Sequence, residues 1–209
     1  MIGTGLGQAS PMSSADLRRA VYPGSFNPPT TAHLAIAAAV VEQRQIDVVV
    51  FSISRRALGK EEVAHPRLHH RLSVLADVVD DIDWLQMQET EDQLLVDIAS
   101  GFDVLIMGAD KWHQINDPIW YDGDPGQRDQ ALDALPELAI APRPPLAVPA
   151  RHRLDIDPRH AETSSTRARA GARNLMATEA QLFALETGAW IDESRYEWWL
   201  AAGRPDPGP

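Results

Sequence analysis

"VYPGSFNPPTTAHLAIAAAV", Val21–Val40, sets two prolines, a Gly-Ser pair and a lone histidine between a short apolar run and a helical one. Arg19 to Tyr22 reads as a first strand that Pro23, Gly24 and Ser25 end. His33 to Arg44, rich in Ala, Leu and Ile, reads as a helix. Pro28 and Pro29 stiffen the turn between them, and Thr30 and Thr31 are good caps for the helix. Free backbone N–H groups and the helix dipole make such a strand-to-helix turn an anion site. Gly24 lets the backbone approach a ligand closely. His33, in the first turn, can donate a hydrogen bond to a phosphoryl oxygen. The same residues would also serve a plain tight turn with a surface histidine.

The alternation continues along the chain. "IDVVVFSIS", Ile46–Ser54, is a β-branched run typical of a strand buried on both faces. Pro66–Asp80 is an amphipathic helix carrying Leu68, Leu72, Leu75 and Val79 on one face. "IDWLQMQ", Ile82–Gln88, alternates as a strand, and Asp92–Ser100 reads as a helix with Gly101 at its C-cap position. Phe102–Gly108 and Leu138–Pro142 are further buried strands, and Arg153–Asp157 is a candidate sixth. Ser165–Met176 and Thr178–Thr187 read as helices. "NDPIWYDGDPGQRDQ", Asn116–Gln130, reads as a long loop near the ligand edge, or a lid. The expected fold is α/β: Rossmann-like and doubly wound, with a mostly parallel sheet and helices on both faces. Residues 1–18 read as a flexible leader, 19–200 as one domain and 201–209 as a disordered tail.

Composition narrows the function. A chain of 209 residues suits one core. Its net charge of −11 argues against a non-specific nucleic-acid binder, which needs a basic surface. The absence of cysteine removes disulfides, thiolate metal sites and a cysteine nucleophile. No apolar run approaches the roughly 18 residues of a membrane span, and the N-terminus lacks the apolar core of a signal peptide. A cytosolic location is the expectation, and homo-oligomerisation stays open.

"GSFNPPTTAH", Gly24–His33, resembles the signature of the nucleotidylyltransferase superfamily, Gly-x-Phe-(Asp/Asn)-Pro-x-(His/Thr)-x-x-His. Gly24, Phe26, Asn27, Pro28, Thr30 and His33 fill that pattern. "TSSTRARAG", Thr163–Gly171, resembles the Ile-Ser-Ser-Thr-x-Ile-Arg motif, with Thr163 in place of isoleucine and Arg169 at the arginine. "IMGADKW", Ile106–Trp112, resembles the Gly-Ala-Asp segment after the fourth strand. "HHRLSVL", "TEDQL" and "APRPP" agree in order, so the resemblance covers about Arg19 to Ala172. The superfamily includes nicotinate and nicotinamide mononucleotide adenylyltransferases and phosphopantetheine adenylyltransferase.

The resemblance implies transfer of AMP from ATP to a phosphate acceptor, with pyrophosphate leaving and Mg²⁺ accompanying the triphosphate. It implies that His33, with Thr30, binds the α-phosphate, and that Arg169, with Ser165 and Thr166, holds the β and γ phosphates. Gly24, Ser25 and Phe26 would give backbone contacts, Gly108 and Asp110 would border the nucleoside, and no dedicated protein metal site is implied. Arg55, Arg56 and Lys60 are candidates for the acceptor phosphate. Nicotinate or nicotinamide mononucleotide is the first acceptor. However, Glu89 stands where pyridine-specific relatives carry an aromatic residue, and their Pro-Pro-His-Lys loop is missing. Phosphopantetheine, a small alcohol phosphate taking CMP, and a non-catalytic nucleotide-binding role are the alternatives. "GTGLG", Gly3–Gly7, lacks a preceding strand. His65 and His69 could pair on a metal but lack a clear third ligand. "DGDPG" lacks the rest of a calcium loop. Trp84 and Trp112 are expected in the core, and Trp198 and Trp199 should pack a terminal helix onto the domain.

Overall fold

A computed structural model describes residues 17–55 and 65–202. The expected leader, except for its last two residues, lies outside them, as do "GTGLG", Arg56, Lys60 and the tail from residue 203. The described chain runs β1 (Arg19–Pro23), α1 (Thr31–Arg44), β2 (Val48–Ser54), α2 (Leu68–Asp80), β3 (Leu85–Thr90), α3 (Leu95–Ile98), β4 (Val104–Gly108) and α4 (Ala109–Asn116). It continues through α5 (Pro125–Asp133), β5 (Glu137–Ala141), α6 (Pro158–Ala161), α7 (Ser165–Arg169), α8 (Thr178–Thr187) and α9 (Glu193–Ala201). Short 3-10 turns occupy Pro118–Tyr121 and Arg173–Leu175.

The five strands form one parallel sheet in the order β3-β2-β1-β4-β5. Alternate residues of β1 go to opposite faces. Ala20 and Tyr22 join Ile36, Ala37 and Val40 of α1. Val21 joins Leu105, Leu138 and Ile98 on the other side. Burial on both faces explains the near-continuous apolar strands. The order reverses between β1 and β4, and the crevice beyond the carboxyl ends of these two strands is where such sheets take ligands.

Four sequence expectations change. Arg153–Asp157 is not a sixth strand. It makes one parallel bridge, Arg153 to Ile140, and then leaves the edge. The Gln43 side chain takes both the N–H and the C=O of Asp155, while Leu154 and Ile156 turn into the core. Asn116–Gln130 is not a loop. Its two Asp-Pro pairs each open a helical turn, with Asp117 accepting from the Ile119 N–H and Asp124 from the Gly126 N–H. Asp124 of "DGDPG" is thus a helix cap, and the Gly126 N–H, with the side chain and N–H of Gln127, holds its carboxyl below the usual range. Ser165–Met176 is not one helix, because Gly171 takes φ 114° and breaks it. The Asp92–Ser100 helix shrinks to α3, since Thr90 and Asp92 bond to each other instead.

The last helices form a third apolar cluster. Tyr196, Trp190 and Trp199 pack with Ala180, Ala184 and Val74 of α2. Trp199 is buried as expected, whereas Trp198 is 68% exposed. Trp84 and Trp112 are partly buried against the sheet clusters. Among the described residues no helix is long and apolar enough to cross a membrane. The Trp190 indole N–H donates to Asn27 Oδ1 at 2.6 Å, in a buried position. Asn27→Leu leaves that N–H without its acceptor. The expected loss is about 1–3 kcal/mol in urea unfolding, against an unchanged Asn27→Asp fold that keeps an acceptor oxygen.

Candidate active site

Phe26 takes φ 40°, a left-handed value that is costly for a bulky residue. Burial holds it there. Its ring is 1% exposed, stacks on Phe51 at 4.5 Å and lies 5.0 Å from the His33 ring. Gly24 makes this possible, since a Cβ there would sit 3.0 Å from the Phe26 ring. The Gly24 N–H extends the sheet by donating to Ser52 O at 3.0 Å, so it is not free to meet a phosphate. Ser25 faces the cleft, and its carbonyl accepts from Arg71 at 3.1 Å. Arg71 is 8% exposed, its Nε has no partner among the described residues, and burial lowers its pKa.

Thr30 caps α1, and His33 completes a capping box from the N3 position usually held by Glu or Gln. The Thr30 N–H donates to His33 Nδ1 at 3.0 Å. A backbone N–H can only donate, so Nδ1 is an acceptor and the neutral ring carries its proton on Nε2. Burial, then the charge of Arg143, lowers the His33 pKa to about 4. Part of the residue stays open to the cleft, so nearby protein atoms, rather than complete exclusion of water, set this shift.

The second motif docks directly onto this turn. Ser165 Oγ donates to the Pro28 carbonyl at 2.8 Å. Arg169 donates to the Asn27 carbonyl and, at 3.4 Å, to Thr166 Oγ1. Ser165 therefore spends its hydroxyl proton on the turn, whereas Arg169 keeps further N–H groups and pairs with no carboxylate among the described residues.

These groups surround one cleft of about 290 Å³ at the carboxyl ends of β1 and β4. Ser25, Thr30, His33, Gly108, Ser165, Thr166 and Arg169 all line it. Gly24, Phe26, Asp110 and Arg55 do not. Phe26 is buried against Phe51 and His33, and the Asp110 carboxylate pairs with Arg143. Arg55 is held by Glu89 through two bonds, at 2.6 and 2.9 Å. Arg56 and Lys60 lie outside the described residues.

Sequence reasoning assigned no role to Arg143, His160 or Tyr22, which also line the cleft. Arg143 was visible only as part of "APRPP". Burial raises the Tyr22 pKa, and the Arg143 charge opposes the rise. The metal pair imagined at His65 and His69 has another explanation: His65 sits 3.1 Å from both Glu193 and Glu197 of α9. Among the described residues no three His, Asp or Glu side chains gather for a metal.

His33 should titrate with a midpoint near 4 by NMR. Between the ordinary value near 6.5 and that midpoint, the unfolded chain takes up a proton here that the folded chain does not. Stability from this residue is thus present above pH 6.5 and falls as pH drops towards 4. A midpoint near 6.5 would contradict the geometry. His33→Gln should keep the capping box, while His33→Ala loses about 1 kcal/mol in urea unfolding.

The two glycines should separate. Gly24→Ala presses on the Phe26 ring and should lose about 1–3 kcal/mol. Gly108 has φ −83° and open space at its Cβ position, so Gly108→Ala should fold as stably as the parent while narrowing the cleft. Denaturation midpoints of the pair test this, and equal losses would refute it.

No curated protein matches the chain. Residues 21–171, spanning the turn, the cleft and α7, match the cytidylyltransferase-like family. With its parallel Rossmann-like sheet and this match, the chain belongs to the cytidylyltransferase-like family, within the nucleotidylyltransferase superfamily.

Proposed function

We propose that the chain is an adenylyltransferase that moves AMP from ATP to a phosphate-bearing acceptor, with nicotinate or nicotinamide mononucleotide as the acceptor. What carries the reading is the meeting of two distant motifs on one cleft. They bring together His33, a neutral Nε2–H donor, and Arg169, a cation with no carboxylate partner among the described residues, in a chain of net charge −11. A cleft with that balance selects an anion.

In the reaction, an oxygen of the acceptor phosphate forms a bond to the α-phosphorus. The bond from that phosphorus to the bridging oxygen breaks, and pyrophosphate leaves with the electron pair. The acceptor oxygen is already anionic near pH 7, so no general base is needed. His33 would donate from Nε2 to an α-phosphate oxygen as negative charge grows there. The bond from Thr30 fixes the ring for this task. Arg169 and the Thr166 hydroxyl would hold the departing pyrophosphate, with Ser165 orienting the segment through Pro28. The cleft offers no cage of three metal ligands among the described residues, so Mg²⁺ would be held by phosphate oxygens and water.

One observation favours phosphopantetheine as the second acceptor. Glu89, at the position that is aromatic in pyridine-specific relatives, is locked to Arg55 and leaves no stacking surface there. An acceptor phosphate using Arg55 would also have to displace Glu89.

Purified protein with ATP and Mg²⁺ should release pyrophosphate with one member of a panel: nicotinate mononucleotide, nicotinamide mononucleotide, phosphopantetheine or a small alcohol phosphate. His33→Gln, which keeps the helix start, should lower kcat roughly 10²- to 10³-fold. Silence across the panel from protein that still binds ATP would overturn the acceptor assignment. Full activity in His33→Gln would remove the role given to the imidazole.

A further inference from the structure

We propose that Arg143 is a second phosphate-binding cation of the cleft beside Arg169, held by Asp110 in the free protein and drawn off it by an incoming polyphosphate. The inference rests on the nucleotidyl-transfer reading and adds a residue to it.

The pairing follows from the sheet. β4 and β5 run parallel with Gly108 opposite Ala141. Asp110 and Arg143 each lie two residues beyond that pair, so the register brings them together. Arg143 lines the cleft, whereas Asp110, in the first turn of α4, does not. The cation therefore stands on the wall with its counter-ion behind it.

Arg143 reaches the reacting groups electrically. Its positive charge disfavours the charged form of His33 and favours that of Tyr22. A charge felt by these side chains is also felt by a phosphate bound to His33.

The ion pair is open to exchange. The side chains of Arg143 and Asp110 are 43% and 54% exposed, and an exposed ion pair contributes little. A triphosphate presents more negative charge than one carboxylate and accepts the planar guanidinium through two bonds. Asp110 is then a competitor for Arg143, not a contact for the nucleoside. It also keeps the Arg143 charge paired until an anion arrives.

The two partners should respond in opposite directions, which a merely structural ion pair cannot do. Binding of inorganic pyrophosphate and of ATP with Mg²⁺ would be measured by calorimetry on the full chain. R143A should weaken pyrophosphate binding roughly 10- to 100-fold. R143K, which keeps the charge without the fork, should fall between. D110N should tighten binding roughly three- to tenfold, because Arg143 is released. Unchanged affinity in R143A and R143K, or a D110N variant no tighter than the parent, overturns the inference while the parent still binds ATP. A parent with no affinity for either anion would overturn the nucleotidyl-transfer reading instead. Thermal unfolding of each variant confirms that the comparison is made on folded protein.

Discussion

Three consecutive carbonyls fix the site. Asn27 O accepts from Arg169, Pro28 O from Ser165 Oγ, and Pro29 O from the Ala177 N–H. Pro28 and Pro29 have no N–H, so at these two residues the backbone can offer its partners only acceptors. What docks on it must bring donors: a guanidinium, a hydroxyl and a backbone N–H. Beside them, Trp190 donates to the Asn27 side chain and Thr30 forms a bridge with Met176. The turn that starts α1 and the segment around α7 therefore hold one rigid relation. A ligand spanning His33 and Arg169 meets groups already in place, which is how positioning lowers a barrier.

That rigidity gives His33 two duties. Its Nδ1 secures the helix start, which leaves Nε2–H as the ring's donor at the cleft that His33 lines. The first duty dictates the tautomer needed for the second. Glutamine could cap the helix, but its side chain would then have to use its carbonyl oxygen on Thr30 and aim its amide elsewhere. Holding the ring neutral keeps its one N–H on Nε2, because Nδ1 accepts from Thr30. Arg143 helps to keep the ring neutral.

Much of the fold was legible because burial leaves a trace in composition. A β-branched run marked β2, an apolar run marked β4, and the Thr-Thr-Ala-His start marked α1. The expected sixth strand failed because a single side chain, Gln43, outcompeted the edge of the sheet for Asp155. In the 116–130 segment Pro and Gly point to a loop, yet Asp before Pro is also a helix start, and that signal wins. Within the site, local motifs were legible and long-range pairs were not. Gly24 reads in the sequence as a ligand contact, whereas in the fold the room at its Cα is taken by the Phe26 ring. The Arg55–Glu89 and Arg143–Asp110 pairs span 34 and 33 residues and depend on strand register, which one sequence does not display.

The family match stops at residue 171, yet the site does not. Met176, Ala177 and Trp190 all lie beyond that limit and all hold the 27–30 turn. Trp190 is kept in place by the aromatic cluster of α8 and α9, where its ring meets Phe183 at 5.9 Å. The same cluster secures α2: Tyr196 Oη bonds to His70 and to the Arg67 N–H, one turn from the Arg71 that supports Ser25. The C-terminal helices thus brace the turn from two directions, through Asn27 and through Ser25. The cleft belongs to the matched sheet and its loops. Ser165 and Arg169, inside the match, supply part of its stiffness, and a layer outside the match supplies the rest through Met176, Ala177 and Trp190.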